Sequence, residues 1–168
     1  MKISEATYNQ LNELLKKSFE CNAIADNLAY NIGYLRYPNI EDIYHHSFAH
    51  AFPQFADEIS PLMIELNARP VRLGFGDYRT EYLSLYDLFQ DNDRMMSDYR
   101  NEVKKTIETA DLNGDDEIKI AMEELLLKIL PYVKQCDVWA AKAKQYEKDP
   151  WQFDVHFEEL TTFIEVVK

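Results

Sequence analysis

Apolar side chains recur at steps of three and four residues along most of this chain, and this spacing constrains its fold more than any other feature. In the first such segment one face carries Leu11, Leu14, Ser18, Cys21, Ala25, Leu28, Ile32 and Leu35. Such steps return to the same side of a helix with 3.6 residues per turn. The spacing therefore predicts one amphipathic helix over residues 4–37, capped by Ser4 and ended by Pro38.

The same spacing predicts three more long helices. The second covers residues 40–68, with Pro53 and Pro61 expected to kink or split it, and its core face carries Phe48, Phe52, Phe55, Ile59, Leu62 and Leu66. The third covers residues 93–111, and the fourth runs from Ile118 to Tyr146, Asn113-Gly114 forming the turn between them.

A long connection separates the second helix from the third. Residues 69–80, RPVRLGFGDYRT, contain one Pro and two Gly, which mark a loop, and residues 81–90 predict a short helix within this crossover. No segment has the alternation of a strand. The sequence thus predicts an all-α fold, a four-helix bundle of ferritin-like connectivity over residues 1–148, followed by a C-terminal helical extension over residues 149–168.

Composition restricts the partners and the location. The 30 acidic and 18 basic residues give a net charge of −12, which disfavours direct binding to DNA. No apolar run approaches the roughly 20 residues that span a bilayer, so no membrane contact is expected. The N-terminus lacks the apolar region of a secretory signal, and Cys21 and Cys136 have the pattern of isolated core thiols. These features predict a cytoplasmic protein.

Three polar residues of the second helix are candidate metal ligands. His46 and His50 are one helical turn apart, and Asp57 lies on the same face, opposite the phenylalanines. Because this face is also apolar, we expect it to form a subunit interface, and its apolar members are Ile43, Pro61, Ile64 and Ala68. The three residues are either ligands within that interface or ordinary polar residues of it. His45 lies nearer the core and is expected to be a hydrogen-bonded structural histidine.

Other motifs argue against several activities. Residues 111–117, DLNGDDE, resemble the start of a calcium loop, but Asp116 and Met122 occupy the positions that need Gly and Glu, so a simple turn is expected. No Glu-x-x-His is present, which argues against a di-iron site inside one bundle. Phosphate loops, Gly-x-Ser-x-Gly and Cys-x-x-Cys are absent as well.

Several segments resemble the Dps family, the mini-ferritins known as DNA-binding proteins from starved cells. The likeness covers residues 5–147, and the segments that show it are Leu11–Leu15 with Ala29–Ile32, Leu66–Pro70, Ser97–Arg100 with Glu108–Asp115, and Val133–Trp139. The resemblance implies a ferritin-like homo-oligomer, a dimer or a larger cage. It also implies iron, or another divalent metal, bound at the interface between two subunits.

Position by position, most of the ligands that this resemblance implies are replaced. The family uses a His on the first helix and His, Asp and Glu on the second, and these positions correspond to Asn31, Ile43, Asp57 and Pro61. Only Asp57 keeps its chemistry. The basic DNA-binding tail of the family has no counterpart here.

Two hypotheses follow from the sequence. In the first, the protein binds iron or another divalent metal through His46, His50 and Asp57 at a subunit interface and takes part in iron oxidation and storage during stress. If active in this way, it is a ferroxidase-type oxidoreductase. In the second, it is a non-catalytic oligomer that has lost the ferroxidase centre and serves a structural or interaction role.

Overall fold

The computed structural model describes all 168 residues, and its regular elements are all helical. Three helices are long and unbroken: α1 (Glu5–Tyr34), α5 (Leu85–Leu112) and α6 (Asp116–Gln145). The fourth leg of the bundle, termed the second leg (residues 38–65), consists of α2 (Pro38–Tyr44), a π-helical segment (His45–Ala49), α3 (Ala51–Ala56) and α4 (Ser60–Glu65). A short α7 (Pro150–His156) follows the bundle. None of the helices is long and apolar enough to cross a membrane.

The first helix begins where the sequence predicts and ends three residues earlier. Ser4 caps it by accepting a hydrogen bond from the Thr7 N–H at 3.1 Å. Its end is set by Arg36, which adopts a positive φ of 70°. Pro38 does not stop α1 but opens α2, at a position where its missing N–H costs no helical hydrogen bond.

The second leg is not one helix over residues 40–68, and it is split as the sequence predicts: breaks precede both prolines, which lie in the first turns of α3 and α4. Pro53 has no N–H to donate to the carbonyl of Ala49. That carbonyl instead accepts a hydrogen bond from Asn22 Nδ2 on α1, at 2.9 Å. Pro61 lies in the first turn of α4. The carbonyl group that Pro53 leaves without a helical donor thus gains its hydrogen bond from the neighbouring helix.

The predicted short helix at residues 81–90 is not a separate element. The crossover has no regular secondary structure before Ser84, which caps α5, and α5 continues through residue 90 to Leu112. Asn92, which precedes the predicted start of the third helix, lies inside α5. It is fully buried, accepts a hydrogen bond from the Tyr44 hydroxyl at 2.7 Å and donates one to Cys136 Sγ at 3.3 Å. A polar residue that looks like a helix boundary is therefore part of the core.

Aromatic rings fill the bundle interior and connect α7 to it. The largest fully buried side chains include Tyr44, Phe48, Phe52, Phe89, Tyr99, Trp139, Phe153 and Phe157. The rings of Trp139 and Phe157 are stacked with centroids 5.0 Å apart. Burying a side chain of this size stabilises a fold by about 1.5–3 kcal/mol. Residues 149–168, predicted as an extension, thus share the core of the bundle.

A buried carboxylate joins α7 to the second leg. Asp154 accepts hydrogen bonds from the N–H groups of Asn39 and Ile40, at 3.1 and 3.0 Å, and from Asn39 Nδ2 at 3.0 Å. These donors lie in the first turn of α2, where a negative charge also stabilises the helix dipole.

We expect Asp154→Ala to lower the free energy of unfolding by about 2–3 kcal/mol, because it leaves buried donors unsatisfied. The matched control is Asp149→Ala, since Asp149 is exposed and makes no side-chain cap to α7. That variant should change stability by less than about 0.5 kcal/mol. Urea unfolding of both variants checks this, and equal losses would contradict the role given to Asp154.

Candidate metal centre

The bundle interior offers no ligand set of the di-iron type. Such a centre takes inward-pointing Glu residues from four helices and His from two of them. The buried side chains of this protein include no Glu and no His. The two buried acids, Asp115 and Asp154, are both engaged at helix N-termini: Asp115 accepts from the Ser4 hydroxyl at 2.9 Å and Asp154 from α2. The buried side chains thus include no carboxylate that is free of a helix N-terminus.

A group of candidate ligands lies instead on the outer side of α1 and the second leg. Asp26 comes from α1, His45 from the first residue of the π-helical segment, and His50 from the residue after that segment. Ligand atoms of these three side chains all lie within 4.8 Å of one another. We term this group the Asp-His-His cluster.

The π-helical segment explains why His45, rather than His46, is paired with His50. An α-helix brings residues four apart onto one face, whereas a π-helix is built on a spacing of five residues. The rings of His45 and His50 have centroids 4.7 Å apart, compared with 5.7 Å for His46 and His50. The change of register thus creates the cluster, and π turns of this kind occur frequently at functional sites.

The other sequence-predicted ligands lie outside the cluster. The His46 side chain turns toward α2, where Nδ1 donates to the carbonyl oxygen of Asp42 at 2.8 Å and lies 3.2 Å from its carboxylate. Asp57 is exposed at the end of α3. Of the three predicted ligands, the structure brings only His50 into the cluster.

The predicted interface face is also rearranged. Ile43 and Ala68 were expected on this face, but each is only 2% exposed and belongs to the subunit's own core, whereas Pro61 and Ile64 are exposed. The division of the second leg into four segments rotates Ile43, Pro61 and Ile64 away from a common stripe, and Ala68 lies beyond α4. His45 was expected to be a structural histidine and is instead a half-buried member of the cluster.

The carboxylate of Asp26 has one oxygen that no donor in the structure satisfies. Its Oδ1 atom is buried and has no hydrogen-bond donor, although His45 Nε2 lies 3.7 Å away. Burial raises the pKa of the Asp26 carboxyl, and the neighbouring His45 and His50 act in the opposite direction. An unpaired carboxylate oxygen facing two imidazoles is a donor set that suits a divalent metal.

Three protein ligands leave coordination positions open. Two His and one carboxylate suit Zn²⁺ with a bound water, and the same set is typical of non-haem Fe²⁺ with several open positions. No spacing rule identifies Asp26 from the sequence, since its partners lie on another helix. For His45 the sequence did contain a signal. Tyr44, Phe48 and Phe52 are separated by two consecutive steps of four residues, which drift around a regular α-helix. This spacing indicates a wider turn, and such a turn moves His45 toward His50.

An exposed apolar surface adjoins the cluster through Tyr30. The Tyr30 ring makes an edge contact with His45, at a centroid distance of 6.4 Å. Tyr30, Tyr34 and Leu83 are exposed by 62%, 80% and 90%, and they line an open groove of about 430 Å³ between α1 and the crossover. We term these three residues the Tyr-Tyr-Leu patch.

Solved structures with a similar fold include ferritins. The chain is similar to an open-pore ferritin from the hyperthermophilic archaeon Archaeoglobus fulgidus, with a TM-score of 0.88, 12% identity, and coverage of 95% of this chain and 97% of that one. A humanized archaeal ferritin gives a TM-score of 0.87 at 12% identity, with coverage of 95% and 97%. An iron-soaked variant of PmFTN gives 0.84 at 11%, with coverage of 90% and 99%.

These similarities show a ferritin-like fold, as the sequence predicts. The narrower resemblance to Dps is not shown by them, because none of these structures is described as a Dps protein and the identities are low. No family model matches the chain, and no curated protein sequence matches it significantly.

We expect Asp26→Asn to raise the melting temperature of the metal-free protein at pH 8. At that pH the carboxylate is charged and has no donor for Oδ1, so its burial opposes folding, and a neutral amide removes that charge. Differential scanning calorimetry with a chelator present measures the shift, and Asp98→Asn, at an exposed position of α5, is the control. A lower melting temperature for Asp26→Asn would show that the carboxylate is well accommodated without a cation.

Proposed function

We propose that this protein is a ferritin-like homo-oligomer that binds a divalent metal ion at the Asp-His-His cluster. The observation that supports this most directly is the buried Oδ1 of Asp26, which lacks a hydrogen-bond donor and faces two imidazoles. A metal ion bound there satisfies the carboxylate and uses both histidines as neutral ligands.

The location of the cluster favours a site at a subunit interface. The Tyr-Tyr-Leu patch adjoins His45, and exposed apolar side chains gathered in this way are typical of association surfaces. A second copy packed on this patch excludes water from one side of the cluster and can supply a further ligand. A symmetric dimer, or a cage built from such dimers, fits this arrangement.

Iron is the first metal to consider, and other divalent metals remain alternatives. One protein of the same fold, PmFTN, has been soaked in iron. In this proposal Fe²⁺ would be the substrate: two Fe²⁺ ions would give one electron each to hydrogen peroxide, which with two protons becomes two waters, and the oligomer would store the resulting Fe³⁺. Iron oxidation and storage of this kind would serve protection during stress. The isolated buried thiols of Cys21 and Cys136 suit a cytoplasmic location.

The alternative function is a non-catalytic oligomer with a structural or interaction role. It is favoured by the lack of inward-facing Glu and His, since the bundle interior is filled by aromatic rings. Direct contact with DNA is not part of either proposal, because the net charge is −12.

We expect the wild-type protein to bind one Zn²⁺ or Co²⁺ per subunit in isothermal titration calorimetry. His45→Ala and His50→Ala should each weaken binding by more than the roughly 10- to 100-fold that the loss of an outer-shell partner costs. The matched control is His156→Ala, because His156 is on α7 and is paired with Glu159.

The same titration separates the cluster from the ligands that the sequence predicted. His46→Ala and Asp57→Asn should bind metal nearly as tightly as the wild type if Asp26, His45 and His50 are the ligands. If only His46→Ala and Asp57→Asn lose metal binding, His46 and Asp57 are the ligands instead of the cluster. If the wild-type protein binds no metal, the metal-binding proposal fails and the non-catalytic oligomer is the remaining function.

We expect Leu83→Glu to lower the oligomer mass in light scattering, because it places a charge in the Tyr-Tyr-Leu patch. Leu112→Glu is the control, since Leu112 is comparably exposed, by 86%, at the opposite end of α5. Dissociation by the control alone would place the subunit contact on a different surface.

A further inference from the structure

The residues after α7 run back along the bundle and are held by buried polar side chains rather than by secondary structure. Gln135 of α6 is fully buried, and its Nε2 donates to the carbonyl oxygen of Leu160 at 2.7 Å. Its Oε1 accepts a hydrogen bond from the Phe163 N–H at 2.9 Å. We term residues 160–168 the C-terminal strap.

The strap ends on the π-helical segment. The hydroxyl of Ser47 accepts a hydrogen bond from the Val167 N–H at 2.7 Å and donates one to the Val167 carbonyl oxygen at 3.1 Å. Ser47 is itself buried, with 6% of its surface exposed. Ser47 lies between His45 and His50 in the chain. The strap is therefore hydrogen-bonded to the turn that sets the distance between these two imidazoles.

The register of this turn decides which histidines can share a metal ion. In the π register His45 is paired with His50, beside Asp26. In an α register the spacing of four residues pairs His46 with His50 instead. π turns are rare and are less favoured than α turns, so a tertiary contact that holds one in place selects the ligand set.

We propose that the C-terminal strap holds the π register through Ser47 and thereby positions His45 as a metal ligand. Ser47 is a positioning residue, because its hydroxyl bonds to the strap and it is not a member of the cluster. This inference rests on the metal site proposed above. In this inference, residues 160–168 determine that His45, rather than His46, is the metal ligand.

The test uses Co²⁺, whose absorption spectrum reports the ligand set, with the full-length protein and two single variants. Ser47→Ala removes the hydroxyl, and Val167→Pro removes the N–H that donates to it while the chain length is kept. Each should weaken Co²⁺ binding by about 10-fold and change the absorption spectrum, as the loss of an outer-shell partner does. Ser47→Thr, which keeps a hydroxyl, should restore both the affinity and the spectrum.

Double variants then read the register directly. In the Ser47→Ala background, where core packing still favours the π register and only part of the population shifts, adding His46→Ala should weaken the remaining binding more than adding His45→Ala does. In the wild-type background the order of these two effects is reversed. Ser60→Ala is the control, because the Ser60 hydroxyl bonds only within the second leg, to the Ala56 carbonyl at 3.5 Å.

The outcomes separate this inference from the proposed function. If the wild type binds Co²⁺ through His45 and His50, and Ser47→Ala and Val167→Pro leave the affinity and spectrum unchanged, the strap has no positioning role and the metal site stands. If the wild type binds no Co²⁺, the proposed function fails first. Circular dichroism confirms that each variant is folded, and Val167→Pro decides the question if Ser47→Ala does not fold.

Discussion

A change of helical register in the second leg governs both the core and the candidate site. Tyr44, Phe48 and Phe52 all face the interior although they are separated by two steps of four residues. Two such steps drift by about 80° around an α-helix, because each covers roughly 400°. The wider turn of the π-helical segment offsets that drift. The same turn moves His45 to the side of His50, so one backbone feature fills the core and assembles the cluster.

The sequence predicts the bundle well where helices are regular and less well where tertiary contacts intervene. The spacing of apolar residues places α1 and α6 within a few residues, because each keeps one continuous core face. It misplaces the start of α5, which runs through the polar residues 91–93; among these Asn92 is buried, and its partners Tyr44 and Cys136 come from other helices. Local pattern cannot reveal a polar residue that is satisfied across the core.

The candidate site, like the fold, could be predicted from the sequence only in part. The histidine-rich turn is visible in the sequence, and His50 was identified there. An ideal α-helix, however, pairs His50 with His46, and only the three-dimensional register reveals His45 as the partner. Asp26 could not be identified at all, because it joins the cluster from α1. The interior of this ferritin-like fold holds aromatic rings, and its one group of metal-type ligands is on the outer side.

The most direct measurement is a crystal structure of the protein soaked in Zn²⁺, with anomalous diffraction recorded at the zinc edge. The account predicts one anomalous peak per subunit, with Asp26, His45 and His50 at bonding distances of about 2.0–2.2 Å. A peak bound by His46 or Asp57 in place of His45 and Asp26, or no peak on the second leg, would contradict it.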